Sequence, residues 1–333
     1  MRLKPVEEQV VALMGASSGI GRETARRFAG RGAKVVVAAR NKEGLDSLVE
    51  EIRGNGGEAT AVVADVTDFE QVRAVADRAA EEHGRLDTWV HLSGVSVFAP
   101  FWEHTPEEFG RVIEVDLVGQ AYGAMAALPH LMLQGRGALV HVSSVVGRRA
   151  VPLQSAYSAA KHGVSGMLES LRVELLREGW SSIGVTEVMP AAINTPFFDK
   201  ARTRLGVKPK GFPPMYEPGV VAGAILYSAE KAPRDIVAGG AGKGMLFAQR
   251  LSPRLMDSLM QHGAFGTQMT DEPKGADAPD GLFSPVSDDR ASAGFDGQIL
   301  SRSLTTWLDT HPAAKAGIVA AALGALAALR ARS

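Results

Sequence analysis

The sequence predicts an α/β protein built on a doubly wound, seven-stranded parallel sheet, with a C-terminal extension. Three observations predict it. Seven short apolar runs recur through the first 240 residues, helix-like segments separate them, and a glycine-rich turn follows the first run.

The runs are QVVALM (9–14), KVVVAA (34–39), ATAVVA (59–64), DTWVHL (87–92), ALVHVS (138–143), IGVTEVM (183–189) and DIVAG (235–239). Six of them are almost continuously apolar, the pattern of strands buried on both faces of a parallel sheet. Between them, ETARRFAGR, EGLDSLVEEIRG, EQVRAVADRAAEEHG, PEEFGRVIEVDLVGQAYGAMAALPHLM and SAYSAAKHGVSGMLESLRVELLREG carry apolar residues at three- and four-residue spacing. Such alternation calls for right-handed crossovers and a single sheet domain over residues 1–245. A helical extension is expected over 246–269 and an irregular linker over 270–298, because 17 of the 28 residues from Thr270 to Gly297 are Asp, Glu, Gly, Pro or Ser. A helical tail is expected over 299–333.

Composition narrows the function classes. With 36 basic and 37 acidic residues, nothing suggests a nucleic-acid surface. The absence of cysteine removes disulfides, thiolate nucleophiles and thiolate-bound metals, and the eight histidines show no metal-site spacing, so no metal is expected. The first apolar stretch is too short for a signal peptide, and a cytoplasmic enzyme is expected.

Gly15-Ala-Ser17-Ser18-Gly19-Ile20-Gly21 lies between the first strand and the first helix. Glycines there permit a tight turn and close approach of a pyrophosphate, and the helix N-terminus offers free N–H donors. The second strand ends in Ala39-Arg40 where an acidic residue would favour NAD, and a guanidinium there suits a 2′-phosphate. NADP(H) is therefore expected over NAD(H). The third strand ends in Asp65-Val66, where a carboxylate is suited to accept from an adenine amino group; Asp68 nearby reads as a helix N-cap.

Tyr157 and Lys161, four residues apart on a helical segment, share one face, and Ser144 lies at the end of the fifth strand, directly after the apolar run, at the carboxyl edge of the sheet. A tyrosine is a poor acid–base near neutrality unless a cation stabilises its phenolate, which Lys161 is placed to do, while a serine hydroxyl can polarise a carbonyl.

With these motifs the chain resembles the single-domain branch of the short-chain dehydrogenase/reductase family. GASSGIG stands for its TGxxxGxG, Asp65-Val66 for its adenine site, Ser144 with YSAAK for its catalytic residues and Pro190-Ala-Ala-Ile193-Asn-Thr195 for its PGxxxT segment, over about Val6 to Gly240. The resemblance implies a Rossmann fold and an oxidoreductase acting on a carbonyl or secondary alcohol. By it, Ser144 orients substrate, Tyr157 is the acid–base, and Lys161 tunes Tyr157 and holds the nicotinamide ribose. Ser93 and Gly94, in His91-Leu-Ser-Gly where the family has NNAG, and Pro190, Ile193 and Thr195 would contact the cofactor. Met14 replaces the leading Thr, Ala191 replaces the Gly of PGxxxT, and Asp116 stands where the family places the Asn of its proton relay. That Asn acts through its main-chain carbonyl and a local helix distortion, so Asp116 is a candidate relay member whose charge would act on Lys161.

Val95, Phe98, Val146, Val151, Leu153, Phe197, Phe198 and Met215 suggest an apolar substrate pocket. Arg148-Arg149 suits either an anionic substrate or, as surface composition favours, a solvated loop. A homo-oligomer is expected. The Ala- and Leu-rich stretch 316–329 would span about 21 Å as a helix, short of a ~30 Å bilayer core, so docking on protein is favoured over a membrane contact through 313–330. An enzyme is the leading reading. A cofactor-binding regulator with decayed catalysis is the alternative, and an epimerase or dehydratase would bring a larger substrate domain.

Overall fold

The computed structural model describes residues 3–295, 297–318 and 320–321. The chain opens with β1 (Val10–Met14), α1 (Gly19–Gly30), β2 (Lys34–Ala39), α2 (Lys42–Gly54), β3 (Glu58–Val63) and α3 (Phe69–His83). It continues through β4 (Thr88–His91), β5 (Val97–Phe98), α4 (Pro106–Ile113), α5 (Gly119–Gln134), β6 (Gly137–Val142), α6 (Ser155–Arg177) and β7 (Ile183–Pro190). Next come α7 (Phe197–Lys200), β8 (Arg202–Thr203), β9 (Val207–Pro209), β10 (Met215–Tyr216), α8 (Pro218–Lys231) and β11 (Asp235–Ala238). The remainder supplies α9 (Gly240–Leu251), α10 (Pro253–Thr267), β12 (Met269–Pro273), β13 (Ile299–Leu300) and α11 (Leu304–Thr310).

The seven strands run in the order β11-β7-β6-β4-β1-β2-β3, and every adjacent pair is parallel. Alternate residues explain why the runs read as continuous apolar sequence. Val11 and Leu13 of β1 point into one core with Phe28, Leu45, Val221 and Ile225, while Val10, Ala12 and Met14 point into the other with Val72, Leu131, Val164 and Leu168. Met14, which replaces the family's Thr, is thus a fully buried core residue. Asp68 caps α3 by accepting from the amides of Glu70 and Gln71. Strand order reverses on either side of β1, which places a crevice at the carboxyl ends of β1 and β4.

The C-terminal extension closes over one side of this framework. β12 pairs antiparallel with β9, β13 pairs parallel with β10, and the Thr306 hydroxyl accepts from the Gly239 amide at 2.9 Å beyond β11. The stretch 270–298, expected as an irregular linker, has little regular structure past β12. Its middle is nevertheless fastened to the sheet domain through its own backbone carbonyls, which residue composition does not reveal. No described helix is long and apolar enough to cross a membrane. Most of the apolar tail, including 322–330 of the candidate membrane contact, lies outside the described residues.

Candidate active site

The carboxyl ends of the central strands open onto a cleft of about 460 Å³, within the usual ~300–1,000 Å³ of small-molecule sites. Its floor is the glycine-rich turn. A Cβ on Gly21 would lie 2.0 Å from the Gly15 carbonyl oxygen, so only glycine lets α1 start this close under the turn. Ser18 precedes α1 in extended conformation, and Gly19, Ile20 and Gly21 of the first turn of that helix line the cleft. This cradle, with Arg40 at its far end, fits the phosphates of a dinucleotide.

The other end holds Ser144, Tyr157 and Lys161. Ser144 follows β6 and caps a short 3₁₀ turn, its Oγ accepting from the Val146 amide at 3.1 Å. Tyr157 and Lys161 project from the first turns of α6, with the Lys161 Nζ 5.3 Å from the Tyr157 ring centre. The Tyr157 ring also packs on Phe197, 5.6 Å between centres, against the apolar part of the cleft.

Beneath them lies Asp116, wholly buried, with one carboxylate oxygen 3.2 Å from the Lys161 Nζ and the other accepting from the Val95 amide at 2.7 Å. It sits in a π-helical turn, Glu114–Val118, between α4 and α5. The helix distortion implied by the family resemblance is therefore present, with a carboxylate at its centre. Gly94 makes room for the pair, since a Cβ there would fall 3.1 Å from Asp116 Oδ2 and 3.6 Å from Lys161 Nζ.

The electrostatics follow from this burial. Loss of solvent pushes the Tyr157 phenol above its ordinary value; Lys161 and a hydrogen bond with Ser144 pull it down, while Asp116 pushes it up. Burial lowers Lys161, but Asp116 and Tyr157 outweigh it and hold the ammonium charged. Burial raises Asp116 against the pull of Lys161. Deeper, His91 and His141 stack at 5.9 Å between β4 and β6; desolvation holds His91 well below its usual value and His141 at about 3, so both are neutral.

Of the residues singled out from sequence, Gly15, Ser17, Ser18, Gly19, Ile20, Gly21, Arg40, Val66, Ser93, Gly94, Ser144, Tyr157, Lys161, Pro190, Ile193 and Thr195 all line this one cleft. Asp116 touches it through Lys161. Asp65 does not line it: its carboxylate accepts from Thr67 and pairs with Arg111 at 3.0 Å and Arg40 at 3.9 Å, cations close enough to claim it. Among the apolar candidates, Val95, Val146, Val151, Phe197 and Phe198 line the cleft. Phe98, Leu153 and Met215 are core instead, Phe98 and Met215 packing around Phe198. Neither reading of Arg148-Arg149 describes what they do. Arg148 reaches the fully buried Glu187 at 2.8 Å, and Arg149 meets Asp257 of α10 at 2.8 Å.

Sequence reasoning missed Lys200 and the C-terminal lining. Lys200 ends α7 with its Nζ 2.8 Å from the Ser18 hydroxyl of the glycine-rich turn. Met245 and Met260, from α9 and α10, wall the apolar part of the cleft. Nothing in the spacing of Lys200 marks it, whereas two methionines on adjacent amphipathic helices were a legible signal.

Comparison with known proteins shows the family of the chain. Residues 9–206 match the family profile described as short chain dehydrogenase. The uncharacterized oxidoreductase YxnA of Bacillus subtilis (strain 168) is 36% identical over 334 residues, covering all of this chain and 94% of its own. The cis-4-hydroxycyclohexanecarboxylate dehydrogenase of Sinomonas cyclohexanicum is 39% identical over 236 residues, 69% of this chain and 92% of its own. An alcohol dehydrogenase from the archaeon Thermococcus sibiricus, solved with 5-hydroxy-NADP, superposes with a TM-score of 0.60 at 25% identity, covering 69% of this chain and 95% of its own.

Proposed function

The chain belongs to the short-chain dehydrogenase family, an oxidoreductase family, and from that premise we propose that it is NADP(H)-dependent and acts on a carbonyl or secondary alcohol of an apolar substrate. One observation carries the reading: Ser144, Tyr157 and Lys161 converge at one end of a single cleft whose other end holds the glycine-rich turn and Arg40.

Bound nicotinamide would supply or receive the hydride. The protein's own residues manage the proton and the oxygen. The Ser144 hydroxyl holds the substrate oxygen, and the Tyr157 phenol gives that oxygen a proton in reduction or takes it in oxidation. Lys161, kept charged by Asp116, stabilises the phenolate left behind. Because burial holds Tyr157 above its ordinary value, the phenol is protonated at neutral pH, the form that reduction uses. Arg40 is suited to a 2′-phosphate by charge and planar geometry. Asp116 acts through Lys161 as a positioning residue.

The test is NADPH with a panel of apolar ketones and aldehydes. Beside the apolar panel, 4-oxocyclohexanecarboxylate, the ketone corresponding to the alcohol in the name of the Sinomonas relative, serves as an anionic comparison. Tyr157→Phe should retain NADPH binding and lose about 10²–10⁴-fold in turnover, the usual worth of a positioned acid–base. Tight NADPH binding by the wild-type chain with no turnover on any substrate would support a regulator in place of an enzyme.

A further inference from the structure

Residues 281–290 cross the phosphate end of the cleft as a strap, and its backbone carbonyls rest on the groups that would bind phosphate. The Gly19 amide, first in α1, donates to the Arg290 carbonyl at 2.9 Å. The two terminal nitrogens of Arg40 donate to the carbonyls of Gly281 at 2.6 Å and Phe283 at 3.2 Å. The Lys200 Nζ donates to the Asp288 carbonyl at 2.8 Å while also holding Ser18 of the turn. Four carbonyls thus satisfy one helix N-terminal amide and two cations, and Pro285 and Val286 line the same cleft.

The strap is anchored independently of these contacts. Leu282 is 1% exposed in an apolar cluster with Val97, Val112 and Ala156, and its carbonyl accepts from Arg111 at 3.2 Å. Asp289 accepts from the Ser47 hydroxyl at 2.8 Å and lies 3.6 Å from Arg22. A carbonyl oxygen and a phosphate oxygen ask the same thing of an N–H donor, and one donor cannot serve both in full.

We propose that the strap is a built-in competitor for the cofactor's phosphates, displaced from Gly19, Arg40 and Lys200 when the dinucleotide binds. The proposal rests on the reading of the cleft as a nicotinamide-dinucleotide site. Lys200 then passes from the Asp288 carbonyl to a phosphate, which makes it a cofactor-binding residue. Apparent affinity is reduced by the fraction of molecules in which the strap is down.

The absence of native cysteine allows a clean test. Ser47→Cys and Asp289→Cys replace two side chains that meet at 2.8 Å outside the cleft lining, and a short thiol-bridging reagent can tie the strap down. NADPH binding is followed by stopped-flow fluorescence on the full chain, before and after bridging. The bridged form should bind at least ten times more slowly than the unbridged double variant. Equal rates would overturn the proposal while leaving the cofactor reading intact. Failure of the wild type and the unbridged variant alike to bind NADPH would overturn both. Hydrogen exchange supplies a second readout. Amides of 281–290 should exchange faster when wild-type chain is saturated with NADPH, and slower exchange would mean that the strap closes on the cofactor and is not displaced by it.

Discussion

Asp116→Asn isolates the charge that this chain adds beneath Tyr157 and Lys161. Asparagine has nearly the same volume and can still accept from the Val95 amide, so the fold of the π-helical turn is kept. What is lost is a negative charge 3.2 Å from Lys161. Lys161 lies 5.3 Å from the Tyr157 ring centre, which puts the Asp116 carboxylate no farther than about 8.5 Å from that ring. At that separation and an effective dielectric near 20, one unit charge acts on another with about 2 kcal/mol. Asp116 raises the phenol, so its removal lowers it; Lys161, still acted on by Tyr157 and Glu187, pulls in the same direction. The Tyr157 ionisation should therefore move down. The chain has four tyrosines, so the titration is read as the difference in phenolate absorbance between each protein and its Tyr157→Phe counterpart. The alkaline limb of ketone reduction should move down with it. A Tyr157 midpoint that stays put or rises, in a variant that folds normally, would mean that the Asp116 charge does not act on the phenol.

Other outcomes follow from the same geometry. Arg40→Ala should weaken NADPH by about 10–100-fold, the loss of a charged hydrogen-bonding partner, with NADH little affected; equal losses in the two dissociation constants would contradict the cofactor assignment. Gly21→Ala forces a methyl group to within 2.0 Å of the Gly15 carbonyl oxygen, so thermal unfolding should show a loss of about 1–3 kcal/mol together with weaker dinucleotide binding. His141 holds its folded-state value at about 3 against an ordinary 6.5. The unfolded chain therefore gains a proton first as pH falls, and up to about 5 kcal/mol of stability present above pH 6.5 is lost on the way to pH 3. His141→Asn should flatten that acid limb in denaturant titrations, and an unchanged limb would assign the loss to other groups.

The legible parts of the molecule were those whose physics is periodic or local. The expected strand over 9–14 is Val10–Met14, and that over 34–39 is Lys34–Ala39, because a strand buried on both faces shows an unbroken apolar run. Ser144, Tyr157 and Lys161 were legible because helix spacing and the carboxyl edge of the sheet fix where such residues point. Other features depend on partners far along the chain. Arg148 looked like a surface residue and found Glu187; Asp65 looked like an adenine contact and found Arg111. Phe98 and Met215 are as apolar as Phe197, and only the packing around Phe198 tells core from pocket. The strap was illegible for a further reason: its contacts with Arg40, Lys200 and Gly19 are made by main-chain carbonyls, which every residue carries.

The position of the strap in the chain also sets an order of events at the ribosome. The sheet is complete with Ala238, whereas Arg290 is made 52 residues later, an interval of about 3–10 s at ordinary elongation rates of 5–20 residues per second. During synthesis, then, the glycine-rich turn and Arg40 exist before anything covers them. Dinucleotide present in a cell-free translation reaction should load faster per chain than dinucleotide added after release, and identical loading kinetics would show that the newly made chain has no such open interval.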